Sequence, residues 1–516
     1  MYSLLYWYFL RLQSRGNLTT LLSPFPRNLQ KIYTLNLQRS VMTPTATIAN
    51  ENFELVSQLV SKQINQSLEQ PSSPQVKMLG RQLYNSIGQP KTIVAPMVDH
   101  SELAWRILSR RYGADLCYTP MFHSRLFATD PKYRQSMWNE KDGSRDNDRP
   151  LIVQFCANDP DYLLQAAKLV ENQCDAVDLN LGCPQGIARR GKYGAFLMDD
   201  WELVHKLIRT LHDNLSVPVT AKIRVYDDWE KSLEYAKMVL DAGAQFITIH
   251  GRTREMKGQN TGLADWKILK HLRDNLPEDQ VFFANGNILY PSDLKRCADE
   301  VGCDAVMSAE GNLYNPGVFW TKDNDIEKQF PRVDKLLREY FEIVKEVDSP
   351  ASTHVIKSHF FKLLNSFLKV HTELRPKIGG TSVRQPFEDW NKIVEEVEQI
   401  VEEIYNKPNI KEIDVIEDGP VESWGGHYKK VPYWRCQPYF RKINGEMQNT
   451  RMLKKFAEEK GTSSKIAADS VADKENRENG ENGEETQGET KQCKRALETE
   501  DNSELGPLAE NKKQAV

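Results

Sequence analysis

The chain has 516 residues, 40% of them hydrophobic, and a net charge of −4, long enough for two or three domains with a sizeable core. Its eight cysteines (Cys117, Cys156, Cys174, Cys183, Cys297, Cys303, Cys436 and Cys493) contain no C-x-x-C pair and no regular spacing, which argues against a zinc site, an iron–sulfur cluster or a disulfide framework and for a reducing compartment. The near balance of charge excludes a global basic field, so any nucleic-acid surface must be a local patch.

Residues 1–50 carry Arg11, Arg15, Arg27, Lys31 and Arg39 and no acid. The apolar run 2–10 is too short to cross a bilayer, and no membrane span is expected. This basic extension resembles a mitochondrial transit peptide carried by residues 1–41. The alternative is an unstructured extension, or an upstream start with translation beginning at Met42, and a protein of the cytoplasm, the nucleus or both. Residues 51–90 read as a short helix, 53–68, followed by a Ser/Pro linker.

From Lys91 a rhythm sets in. Apolar strand candidates are 91–97, 115–122, 151–156, 176–181, 218–225, 246–251, 281–287 and 304–311. Helical periodicity fills 159–172, 199–215, 227–242 and 291–301, and several of these stretches open on an Asp able to N-cap. Strands alternating with helices over 91–323 predict an α/β fold, a TIM (β/α)8 barrel. A doubly wound sheet is the alternative, but no G-x-G-x-x-G follows the first strand. The polar 123–149 connection reads as a loop replacing one helix of the ring.

The run 176–181 ends in Gly182-Cys183-Pro184, which delivers one thiol to a strand end where the backbone must turn sharply. Arg189, Arg190, Lys192 and Tyr193 follow and could hold an anionic substrate. The plainer reading is a buried strand-end cysteine beside a basic loop. Met97, Gln154, Asn180 with Cys183, Lys222 with Arg224, His250 with Arg252, Asn285 and Glu310 all fall near strand C-termini. Singly, each is a satisfied core polar group or a loop residue. At corresponding points of successive strands they point to one shared site, on the face where barrel enzymes do their chemistry.

Residues 324–406 are helical throughout, with apolar stripes at Val333-Leu336-Leu337-Tyr340-Phe341-Val344, at 355–370, and at Phe387-Trp390-Ile393-Val394-Val397-Ile400-Val401-Ile404, which suggests a small bundle. The second stripe carries Lys357, His359, Lys362 and Lys369 and leads to His371, Arg375 and Lys377, a charged face that reads as solvated or as an RNA contact. In the arm 407–456, Trp424, Tyr428, Tyr433, Trp434, Tyr439 and Phe440 interleave with Lys429, Lys430, Arg435, Arg441 and Lys442. That is the composition of an RNA-binding surface, and equally of an arm packing its aromatics on the bundle. The tail 457–516 is acidic, poor in aromatics and reads as disordered.

Taken together, APMVDHS, CYTPMF, QFCANDP, DLNLGCPQ, TAKIRV, IHGRTREMKG, ANGNI and SAEG, spread over residues 91–319, resemble the flavin-dependent tRNA-dihydrouridine synthases. QGIARRGKYGAFL and PYWRCQPYFR are most similar to the eukaryotic 16/17-specific branch of that family. Asn287 departs from it, since other members often carry Asp there.

The resemblance implies FMN over the barrel mouth, with Pro96, Met97 and Val98 meeting the ring and Gln154 and Lys222 on its polar edge. His250 would sit toward the ribityl or phosphate side, and Asn285, Gly286, Asn287, Ala309 and Glu310 would cradle the phosphate through their backbone. It further implies Cys183 as the acid that protonates C5 of uracil, Asn180 orienting the base, and Arg224, Arg252, Arg189 and Arg190 contacting the substrate. The substrate is tRNA, reduced at uridines 16 and 17 of the D-loop. The reductant is NADPH or NADH, no metal is expected, and the protein is expected to be a monomer. Two other classes compete: an FMN oxidoreductase of a small pyrimidine-like metabolite, against which the basic-aromatic arm argues, and a non-catalytic RNA-binding protein with a relic barrel, which would be colourless.

Overall fold

A computed structural model of the chain describes residues 78, 80–258, 261–347, 353–381, 387–421, 427–439, 442–443 and 446–447. The expected basic extension, the 53–68 helix and the acidic tail lie outside the described residues, as do Trp424, Phe440 and Arg441.

Nine strands form one parallel sheet: β1 Thr92–Val94, β2 Leu116–Tyr118, β3 Phe122–His123, β4 Leu151–Cys156, β5 Ala176–Leu181, β6 Val219–Arg224, β7 Ile247–His250, β8 Phe282–Asn285 and β9 Ala305–Ser308. Short β3 pairs only with β4, while β1–β9 and β2–β4 pairings close the other eight into a TIM barrel. Every residue of β4, β5, β6 and β8 is buried, because helices cover the outer face and side chains fill the interior. The outer helices start where their caps stand. Asp159, Asp200, Asp228 and Asp265 each accept first-turn N–H groups, opening Pro160–Lys168, Trp201–Asn214, Trp229–Asp241 and Trp266–Asp274.

Two expectations are corrected. The 123–149 connection is not only a loop: it holds helices Ser124–Thr129 and Pro131–Met137, the second capped by Asp130 with Pro at its first position. These are too short and polar to show a periodicity. Likewise the expected 69–90 linker contains a helix, Gly80–Ser86, whose buried Tyr84 donates to the Asp304 carbonyl at 3.0 Å while Arg81 pairs with the Asp304 carboxylate, closing the N-terminal end of the barrel.

Beyond the barrel, helices Val333–Glu346, Thr353–Leu363, Leu374–Gly380 and Phe387–Tyr405 pack with each other and onto the barrel helix Leu103–Arg111. Trp105 of that helix is fully buried, stacked on His359 with ring centroids 4.2 Å apart and met edge-on by Tyr340 at 5.8 Å. His359 therefore leaves the solvated face expected of it: it is buried, and its Nε2 bonds Glu102 at 3.0 Å. Of the neighbouring cations, Lys357 donates to the Gly379 carbonyl and Lys377 pairs with Glu396.

The arm divides between its two readings. Strands Glu417–Val421 and His427–Lys430 form a hairpin in which Lys429 pairs with Asp418 and Lys430 with Glu417. Trp434 and Cys436 are buried, and Arg435 is held between Asp414 at 2.7 Å and Glu327 at 2.6 Å. Those three residues belong to packing. Among the described residues, no helix is long and apolar enough to cross a membrane, and no group of His, Cys, Asp and Glu is arranged to hold a metal.

Candidate active site at the C-terminal mouth of the barrel

Strand register brings the polar residues together. Gln154 lies beside Asp178, Asn180 beside Lys222, Arg224 beside His250, and His250 beside Asn285. Because side chains alternate along a strand, Asp178 and Asn180 share the inner face with Thr220, Lys222 and Arg224 of the next strand, while Val177, Leu179 and Leu181 turn outward to the helices.

Cys183 follows β5, partly exposed, with its loop held from below. The Gly182 and Cys183 N–H groups donate to Asn180 Oδ1 at 3.2 and 2.9 Å. Asn180 Nδ2 donates to Gln154 Oε1 at 2.8 Å, and Gln154 Nε2 to Asp178 Oδ2 at 2.8 Å. Thr220 donates to the other Asp178 oxygen at 2.7 Å. Burial raises the Cys183 thiol pKa, outweighing the nearby Arg224, Lys222 and Lys257, so the sulfur keeps its proton at neutral pH. Asp178 and Thr220 were not among the residues expected here. Their signal is a polar residue two positions before Asn180 and two before Lys222, on the same inner faces.

Lys222 is buried, and its Nζ donates to Asn285 Oδ1 at 3.0 Å. Burial, assisted by Arg224, lowers its pKa to about 8. Arg224, also buried and lowered to about 10 by the same cause, points at protein rather than open space: Nε donates to Gly182 O at 2.7 Å and Nη1 to Thr253 O at 2.8 Å. It ties the Cys183 loop to the loop after β7. Neither Lys222 nor Arg224 stands in an ion pair among the described residues.

Arg252 follows β7, its Nη1 2.9 Å from His250 Nε2 and its Nη2 donating to Asn287 Oδ1 at 3.0 Å. Burial and the three surrounding cations hold His250 well below its usual pKa, so it is neutral, with Nε2 as acceptor and the proton on Nδ1. Asn287 has a left-handed backbone, φ 62°, fixed by exchange of hydrogen bonds between its amide and the backbone of Ala264. Gly286 precedes it at φ 122°, and a Cβ there would lie 2.4 Å from Ala264 Cβ, so only glycine fits. Trp266, another residue without a signal in the strand pattern, donates from Nε1 to the Gly286 carbonyl at 3.0 Å.

Pro96, Met97 and Val98 follow β1, with the Met97 N–H donated to Ser101 Oγ at 3.0 Å. Ala309 and half-buried Glu310 follow β9. Arg189 and Arg190 are exposed on the short helix Gly186–Arg190, which follows the Cys183 loop. The arrangement thus offers a protonated thiol, a neutral imidazole and a set of buried cations around one opening.

Comparison with known proteins gives consistent matches. Residues 93–409 match the family described as dihydrouridine synthase (Dus). A tRNA-dihydrouridine(16/17) synthase [NAD(P)(+)] of Saccharomyces cerevisiae is 62% identical over 388 residues, covering 74% of this chain and 91% of that protein. A Schizosaccharomyces pombe protein of the same name is 45% identical over 399 residues, covering 77% and 99%. A mouse tRNA-dihydrouridine(20a/20b) synthase [NAD(P)+]-like protein is 38% identical over 235 residues, covering 45% of this chain and 70% of its own length.

Proposed function

The chain belongs to the dihydrouridine synthase family, and on that premise we propose that it reduces the C5–C6 double bond of uridines 16 and 17 in the D-loop of tRNA. NADPH or NADH is the reductant and FMN the resident cofactor. The observation that carries the reading is one mouth holding a protonated thiol, Cys183, beside the buried cations Lys222 and Arg224, which no carboxylate pairs among the described residues. Buried charge without a direct counter-charge is costly: Asp178 acts on Lys222 but bonds Thr220 and Gln154 instead, and an anionic cofactor would offset the remainder.

FMN fits this donor set. Lys222 and Gln154 would take the polar edge of its ring, Pro96, Met97 and Val98 the ring itself, and His250, Arg252 and the backbone of Asn285, Gly286, Asn287, Ala309 and Glu310 the ribityl phosphate. When bound, the reduced cofactor supplies the hydride for uracil C6. The chain does the rest. Asn180 orients the base, and Cys183 Sγ gives its proton to C5, the thiolate then recovering one from solvent. A donor of this kind needs its proton until the transition state, which suits a pKa raised rather than lowered. The target base must leave its stack to reach the cleft, at about a few kcal/mol. Exposed Arg189 and Arg190 would meet phosphates of the RNA that carries it.

The test is direct. Purified protein should be yellow, oxidise NADPH, and form dihydrouridine in tRNA isolated from a strain lacking the modification. A colourless protein that still binds tRNA would instead favour a relic barrel.

A further inference from the structure

We propose that Asp178, two residues before Asn180 on the same face of β5, is a positioning residue that locks the direction of the buried amide relay holding Cys183. This rests on the reading of Cys183 as the proton donor. The relay runs Thr220, Asp178, Gln154, Asn180, and ends on the N–H groups of Gly182 and Cys183. Gln and Asn side chains are reversible: each presents either an oxygen or an NH2 to a neighbour. At the loop end the Gly182 and Cys183 N–H groups, which only donate, call for the Asn180 oxygen, and the far end needs a partner of matching sense.

An ionised carboxylate accepts only. Facing Asp178, Gln154 has to offer its NH2, which turns its oxygen to Asn180. Asn180 then has to offer its own NH2 to Gln154, which leaves its oxygen for the loop N–H groups at 3.2 and 2.9 Å. The carboxylate thus locks, from its end, the two amide orientations that the loop N–H groups require and, through them, the seat of the thiol. Reversed, the relay would point the Asn180 NH2 at the two N–H groups it now accepts from, donor against donor. Asp178, Gln154 and Asn180 are all buried, so water is poorly placed to repair a reversed link. Although burial lifts Asp178 to about 6, it remains ionised at neutral pH.

The test is a cycle of three variants. Thr220→Val keeps the acceptor-only carboxylate and should leave dihydrouridine formation within about twofold of wild type. Asp178→Asn lets the relay run either way. In Asp178→Asn with Thr220→Val the valine can neither accept from nor donate to the new amide, so whichever way the relay runs one polar group is left unpaired and the relay loses its fixed end. At pH 8, dihydrouridine formation should fall in that order, with the double variant well below the product of the singles and about ten- to a hundredfold below wild type.

Flavin reduction by NADPH, which does not use the thiol, should change far less. Independently of activity, hydrogen exchange at the Gly182 and Cys183 amides should quicken by about tenfold in the double variant, as one hydrogen bond is removed. Wild-type exchange and activity in folded Asp178→Asn, or purely multiplicative effects, would overturn the proposal. Should Asp178→Asn not fold, Gln154→Met cuts the relay next to Asn180, and unchanged exchange in that variant would overturn it equally. Full activity in Cys183→Ala would instead remove the premise and not the relay.

Discussion

Replacing Lys222 with Met should make the flavin-free protein more stable while weakening its hold on the cofactor. In the folded chain the Lys222 ammonium is buried, and its pKa falls from 10.5 to about 8. At 1.36 kcal/mol for each tenfold change in proton affinity, keeping it charged costs about 3 kcal/mol. Methionine removes that cost but leaves Asn285 Oδ1 without the 3.0 Å hydrogen bond it now accepts, a penalty of about 1 kcal/mol.

The net gain is about 2 kcal/mol, or roughly 4 °C in Tm for a domain of this size. It should depend on pH with a definite sign. Because the folded pKa lies below the unfolded one, the cost is full below about pH 8 and gone by pH 10.5, so the advantage of the variant should shrink across that window. Thermal unfolding of flavin-free wild type and variant measures the gain, and repeating it with FMN measures the cofactor's contribution, which should be smaller in the variant. A flavin-free Lys222→Met protein less stable than wild type at pH 7 would refute the reasoning, because the charge would then already be compensated within the protein.

Cys183→Ala should retain FMN and oxidise NADPH at the wild-type rate, yet form little dihydrouridine; mass spectrometry of treated tRNA checks this. Arg189→Ala with Arg190→Ala should weaken tRNA binding and make log affinity against log salt shallower by up to about 0.7–0.9 for each phosphate no longer neutralised, with flavin content unchanged. Arg435→Met should destabilise the fold by about 1–3 kcal/mol, since partly buried Asp414 loses its counter-charge but keeps hydrogen bonds from Trp434 and Tyr405; thermal unfolding reads it, and no measurable effect would return Arg435 to the pool of RNA-binding cations.

The barrel was legible in sequence because strands buried on both faces are continuous apolar runs, and all eight ring strands fall inside the expected segments. β3, two residues long, and the helix Gly80–Ser86 are too brief to leave a pattern. Cys183, Lys222, His250 and Asn285 could be found because a polar residue at the end of an apolar run is itself the signal. What sequence does not carry is the partner of a cation. Arg224 and Arg435 look like phosphate ligands by composition, yet one is committed to backbone carbonyls and the other to carboxylates. Asp178 is hidden for the converse reason, as its importance lies in the orientation of two neighbouring amides.

The stack of Trp105 on His359 has a consequence for how such a protein can be taken apart. The indole belongs to the first helix after β1, a few residues from Met97, while the imidazole and Tyr340 come from the helices after the barrel, and Glu102 bonds both. His100 Nε2 reaches Ser358 at 2.6 Å from the same loop. A chain ending near residue 323 would expose the tryptophan and free the segment that borders the mouth. The two halves are therefore unsuited to being swapped between relatives as cassettes, and a substitution on the far helices can be felt at the cleft without touching anything that enters it.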